Sequence, residues 1–325
     1  MLDWASIRGK GEGRQKADPP EISSPRPEPK KSGIALALGG GAARGWAHIG
    51  VLRALDEAGI EINMIAGTSI GALVGGCYLA GKLDELEEFA RSLTRRRFFG
   101  LLDFQFRGSG LFGGMRLNAR LQQHLAGVTF GDLSRPFVCV ATEIRTGHEV
   151  LLTSGSLITA MRASYALPGV FEPVMCNNRL LVDGALVNPV PVSVCRAYEQ
   201  LLVVAVNLNY DHFGRAAVIK HDAGPADASL GLPPAGEVDE IVAADSRIPE
   251  SRIGITGVMV EAFNIIQDRI SRARLAGDPP DLSLQPKLSH IGLTEFHRAD
   301  EAIRLGYEAT KINLPQLQRL QTVLA

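Results

Sequence analysis

The chain has 325 residues, 34 Lys and Arg against 35 Asp and Glu, a net charge of −1 and 46% hydrophobic residues. That apolar content suffices for one large domain or two small ones, and the near-neutral charge excludes bulk basicity for nucleic acid and disorder throughout. The four cysteines (Cys77, Cys139, Cys176, Cys195) lie far apart in apolar surroundings, which reads as buried free thiols in a reducing compartment, without zinc or redox spacing. No metal or cofactor is expected. No stretch has the charge-free apolar length of a membrane span, and no apolar core follows the N-terminal charges. The expectation is a cytoplasmic protein, with attachment at the inner face of the membrane left open.

Residues 1–32 mix Pro, Gly, Ser, Lys, Arg and Glu and cannot bury enough apolar surface to offset their ordering entropy, so a disordered tail is expected. The continuous apolar run at 33–38 predicts a strand buried on both faces, the start of a domain over 33–325. It ends in Gly39-Gly40-Gly41-Ala42-Ala43-Arg44-Gly45, followed by a helical pattern to Ala58, within which His48 is expected to pack. A glycine loop between strand and helix exposes amides at a positive helix end. It serves either a dinucleotide or an oxyanion, and the G-x-G-x-x-G frame fails here because Arg44 or Ala42 interrupts it.

Residues 63–66 form a second strand that meets a helix over 72–80 at Gly67-Thr68-Ser69-Ile70-Gly71. This is the setting of a nucleophile elbow: a sharp turn forces the serine into a strained conformation, and Gly67 and Gly71 let strand and helix approach. The competing reading is a serine that caps the helix. In a parallel sheet the C-terminal ends of both strands share one edge, which brings the glycine loop beside Ser69 and favours the oxyanion reading.

A helix over 83–93 leads to Arg95-Arg96-Arg97-Phe98-Phe99, and five phenylalanines fall between 98 and 112. Either residues 95–112 make a peripheral membrane contact or line an acyl pocket, or arginines close a helix before core phenylalanines. Further on, the patterns give a helix at 117–125, strands at 136–142 and 149–153, a helix at 157–164 and an irregular loop with Pro168, Gly169 and Pro173. The strand at 180–182 runs into Asp183-Gly184-Ala185, which places a carboxylate at a strand end and makes it a candidate for the catalytic edge. A buried strand follows at 201–207, then a Gly-, Ala-, Asp- and Pro-rich stretch at about 211–250 that reads as a flexible insertion. Residues 255–275 predict a helix with apolar Val258, Met259, Phe263, Ile266 and Ile270, read chiefly as a packing helix. An edge strand at 282–288 and a helical end at 294–324, interrupted by Pro315, complete the chain.

Four blocks in this order, residues 39–50, 67–71, 162–169 and 183–185, resemble the patatin-like phospholipase family, nearest its bacterial RssA-like members in the neuropathy target esterase branch. The resemblance covers about 33–314. It implies a three-layer α/β/α sandwich with a mainly parallel sheet and a serine lipid acyl hydrolase acting on a lipid or acyl ester. Carried over, Ser69 is the nucleophile, Asp183 the base of a Ser-Asp dyad, and Gly40, Gly41 and Ala42 the oxyanion loop, with Gly39, Arg44, Gly67, Gly71 and Gly184 in support. Where the family has glycine this chain has Ala42, and a methyl there suits a donating amide only at negative φ. A Ser-Asp-His order with His290 or His297 competes with the dyad. A weak or inactive regulator with the same fold, acting through a protein partner, competes with the enzyme.

Overall fold

A computed structural model describes residues 33–93, 103–104, 112–113, 115–210 and 255–324. The expected tail, nearly all of the 95–112 contact and the insertion at about 211–250 lie outside the described residues. The main sheet has eight strands: β1 (Ile34–Leu38), β2 (Ile62–Thr68), β5 (Phe137–Glu143), β6 (Glu149–Leu152), β7 (Val174–Cys176), β8 (Arg179–Asp183), β9 (Val203–Val206) and β10 (Leu282–Leu284). Strands β3 (Asp103–Phe104) and β4 (Phe112–Gly113) form a separate two-stranded antiparallel sheet.

The order β10-β9-β1-β2-β5 is parallel throughout, and β8, β7 and β6 add an antiparallel end. Strand side chains alternate between faces, and two cores follow from this. Ile34, Leu36, Leu38, Ile65, Phe137, Val204 and Val206 join a large core with α1 (Ala47–Glu57), α2 (Ile70–Leu79), α3 (Leu83–Ser92), α4 (Met115–Leu125) and α5 (Leu157–Ser164). Ala35, Ala37, Met64, Ala66, Val138, Val140, Val203 and Ala205 face a thinner core with α6 (Val192–Ala197) and with Leu275 of α7 (Ile255–Gly277). Helices thus cover both faces of a mostly parallel sheet, the three-layer α/β/α arrangement expected.

The last helix, α8 (Ala299–Val323), runs through Pro315 without the break expected there. Pro315 lies on the exposed side, where a carbonyl that loses its amide partner is open to solvation, while Leu314 and Leu317 hold the buried side. α8 crosses α1 at two facing glycines. A Cβ built on Gly50 would lie 1.9 Å from the Ile303 carbonyl oxygen, and one on Gly306 would lie 2.0 Å from that of Ala47. Backbone thus meets backbone on both sides of the crossing. Gly50→Val should therefore cost roughly 1–3 kcal/mol or more, measured as a lowered denaturant midpoint at unchanged m-value.

Candidate active site

The sheet register brings the two candidate catalytic side chains together. On one edge of β5, β2 pairs in parallel as far as Thr68 opposite Val140. β6 takes the other edge, pairing from Cys139 to Thr142. β8 pairs antiparallel with residues 141–143, two of which β6 already uses on its own side, so β8 shares the β2 edge. The two strands run toward each other along that edge. β2 stops opposite Val140 and β8 stops at Asp183 opposite Ala141, so Ser69 and Asp183 meet where the strands collide.

Ser69 has φ 56° and ψ −124°, a conformation that L-residues rarely adopt. The elbow is tight because α2 presses on β1: a Cβ on Gly71 would sit 2.2 Å from the Leu38 carbonyl oxygen. The Ser69 N–H donates to Ser164 Oγ at 2.9 Å, and the Ser164 hydroxyl donates to the Val140 carbonyl at 2.6 Å. Sequence reasoning assigned no role to Ser164; its position at the end of α5, ahead of the Pro168-Gly169 loop, was the available signal. The Ser69 hydroxyl donates to Asp183 Oδ2 at 2.6 Å, while Asp183 Oδ1 accepts the Ala185 N–H at 2.8 Å. The Asp183 carbonyl accepts the Thr142 hydroxyl at 2.9 Å and its N–H donates to Ala166. Two bonds therefore hold the carboxylate and two more hold its backbone.

Asp183 is 2% exposed. Burial raises its pKa to about 7, against the lowering effect of the bonds from Ser69 and Ala185. The histidines occupy other places. His48 is fully buried in α1, its pKa pushed down to about 4 by burial, so the neutral ring donates Nε2–H to the Gly39 carbonyl at 2.7 Å. His290 pairs with Glu301, and His297 lies in a short 3-10 turn, Phe296–Arg298. Neither His290 nor His297 bonds Ser69 or Asp183 among the described residues.

The glycine loop lies against this pair: a Cβ on Gly40 would be 3.5 Å from Ser69 Cβ and 3.3 Å from Ala185 Cβ. Its amides divide. Gly39 donates to the Val206 carbonyl and Gly40 to that of Pro189, at 2.9 Å for the latter. In this structure the Gly40 proton, one of the three amides expected at the oxyanion loop, is thus engaged within the protein. The Gly41 N–H has no acceptor among the described residues. The next amide, Ala42, opens a 3-10 helix, Ala42–Trp46, where a first-turn N–H has no partner within the helix.

Ala42 has φ 47°, so the negative φ expected for a donating amide does not occur. The methyl adds strain without removing the N–H, whose direction is set by the peptide plane shared with Gly41. Arg44 is 1% exposed and anchors the loop from behind, donating Nε–H to the Ile291 carbonyl at 2.8 Å and Nη1–H to Asn209 Oδ1 at 2.9 Å. A second network missed in the sequence reaches the strand that leads to Ser69. Thr68 donates its hydroxyl to the Asn188 carbonyl at 2.8 Å. Asn188 Nδ2 donates to Glu149 at 2.7 Å, and Glu149 pairs with Arg274 of α7 at 3.1 Å.

A mostly parallel sheet between helical layers, with a strained serine touching a buried aspartate at its C-terminal edge, is the α/β architecture expected for the family the sequence blocks resemble. Comparison with known proteins agrees. The model of the patatin-like phospholipase family matches residues 36–196. An uncharacterised NTE family protein of Mycobacterium bovis and one of Mycobacterium tuberculosis are each 33% identical over 87% of this chain and 90% of their own. Neuropathy target esterase sws of Drosophila melanogaster is 33% identical over 54% of this chain, but over only 13% of its own length. The chain belongs to the patatin-like phospholipase family.

Two outcomes test the site's energetics. Ala42→Gly should stabilise the protein by about 1 kcal/mol, the cost of a Cβ in the left-handed region, read from chemical denaturation. For Asp183 the native pKa, about 7, lies above the unfolded one, about 3.9. The native state then binds the proton more tightly, and its stability contribution is complete below about pH 4 and lost as pH rises through 7. The stability of Asp183→Asn relative to wild type should increase from pH 4 to pH 8 by on the order of a few kcal/mol; equal pH dependence of the two proteins contradicts a raised pKa.

Proposed function

We propose that the chain is a serine acyl hydrolase that cleaves carboxylic esters of lipids by a Ser69–Asp183 dyad through an acyl-enzyme. The observation that carries this reading is the 2.6 Å hydrogen bond from the Ser69 hydroxyl to Asp183 Oδ2, with no histidine between them. Asp183 removes the proton as Ser69 Oγ attacks the ester carbonyl, and the Gly41 and Ala42 N–H groups stabilise the oxyanion. The tetrahedral intermediate collapses to the acyl-enzyme and expels the alcohol, which takes the proton from Asp183. Water then attacks the acyl-enzyme with Asp183 again as base.

Burial makes a carboxylate suitable for this task. At its usual pKa of about 3.9 it is a weak base for a hydroxyl, whereas at about 7 it binds a proton more strongly by on the order of 4 kcal/mol while still ionised in half the molecules at neutral pH. The oxyanion amides supply much of the remainder, typically ~10²- to 10³-fold for one donor. Esters with good leaving groups suit such a base better than amides do. The lipid class of the substrate follows from the family and from the words phospholipase and esterase in its relatives' names.

Turnover of p-nitrophenyl esters should fall by at least ~10³-fold in Ser69→Ala and Asp183→Asn and by less than about threefold in His290→Ala and His297→Ala. The kcat/KM of wild type should rise with pH through about 7, as Asp183 ionises. A large loss from either histidine variant with Asp183→Asn active overturns the dyad. No turnover and no labelling by a fluorophosphonate overturns the enzyme in favour of a regulator.

A further inference from the structure

Helix α7 is turned inside out. Among its described side chains, the buried ones are Asn264, Gln267, Asp268 and Ser271, 4–5% exposed and spaced to form one stripe. Its opposite face carries Val258 (54% exposed), Met259 (52%), Ile265 (47%) and Ile266 (45%), with exposed Ala262 among them. Three of the five apolar residues that predicted a packing face, Val258, Met259 and Ile266, thus point to solvent, while Phe263 and Ile270 are half-buried at the borders of a buried polar stripe. An amphipathic helix with this orientation has a second apolar environment to meet.

The charges on α7 identify that environment. Arg269, three and four residues beyond Ile266 and Ile265, extends the outward face, is exposed, and makes no ion pair among the described residues. Asp268 points inward and is held by Arg272 at 2.8 Å, and Glu261 accepts a bond from Asn264. An apolar helix face followed by an unpaired arginine matches an anionic lipid surface. Position agrees: α7 packs on the Gly184–Leu186 turn that follows Asp183, and Met259 Cε lies 3.4 Å from a Cβ built on Gly169, in the loop that follows α5 and Ser164. The face borders the proposed catalytic edge.

We infer that the outward face of α7 docks the protein on an anionic membrane surface, with Val258, Met259, Ile265 and Ile266 in the acyl boundary and Arg269 at the head groups. The inference rests on the lipid-hydrolase reading for the choice of a bilayer as occupant, and the test separates the two. Full-length wild type and the double variant Ile265→Asp/Ile266→Asp are sedimented with vesicles of phosphatidylcholine and phosphatidylglycerol, and both are assayed on dissolved p-nitrophenyl butyrate. The expected result is vesicle binding at least tenfold weaker in the double variant, with butyrate turnover within twofold of wild type and an unchanged melting temperature. Arg269→Glu should weaken binding to anionic vesicles. Equal binding of wild type and double variant, or no binding by wild type, overturns the inference. So does a wild-type dimer in gel filtration that the double variant dissociates, because the face is then a subunit contact. Vesicle binding that depends on Ile265 and Ile266, with butyrate turnover absent from both proteins, supports the docking surface and removes the hydrolase reading.

Discussion

Two strands that approach each other along the same edge of β5 set the terms for the rest of the molecule. Because β2 ends opposite Val140 and β8 opposite Ala141, the residues at their tips have no room to continue as sheet. β2 turns sharply into α2 and β8 into a 3-10 turn, and the residues at the two turns are Ser69 and Asp183. Their hydrogen bond joins residues 114 positions apart without a loop of its own. A rigid sheet thus supplies the precision that mobile loops provide less well.

Several unfavourable local features gather at this junction. Ser69 and Ala42 both stand at positive φ, Asp183 is a carboxyl 2% exposed, and His48 is buried without a proton on its second nitrogen. Strain of this kind amounts to about 1–3 kcal/mol at a residue such as Ser69, and it persists only where the surroundings over-determine it. Here they do. Ser164 ties the Ser69 amide to β5, Ala185 and Thr142 hold Asp183, and His48 grips the loop at Gly39. Two apolar cores, one on each face of the sheet, give the frame that holds these groups in place.

Where local pattern determines the outcome, the sequence could be read. The buried parallel strands show as continuous apolar runs, and the Gly-x-Ser-x-Gly turn between a strand and a helix specifies its own geometry. Three features depended on partners distant in the chain. Which glycine-loop amide remains open is decided by Pro189, whose carbonyl takes the Gly40 proton. Whether Pro315 ends a helix is decided by the large core that buries Leu314 and Leu317 on either side of it. The facing of α7 could not be read from its apolar spacing, since Val258, Met259 and Ile266 follow a helical period whichever way the helix is turned. The informative signal was the second stripe, Asn264, Gln267, Asp268 and Ser271, too regular to be an exposed face by accident.

That polar stripe explains why α7 can present its apolar side outward and still belong to the site. Gln267 accepts a bond from Asn209, the residue that receives Arg44 behind the glycine loop. Arg274, near the end of the same helix, pairs with Glu149, which holds Asn188 against Thr68, the residue before Ser69. One helix therefore touches, through two separate polar chains, the glycine loop and the strand that leads to Ser69. An apolar inner face would pack more simply, but it would leave Asn209 and Glu149 without these partners at the edge of the sheet. Buried polar groups are costly unless bonded, so their pairing fixes the register of α7 against the site more narrowly than hydrophobic contact would. The two chains thus tie one helix to the glycine loop and to the strand that ends in Ser69.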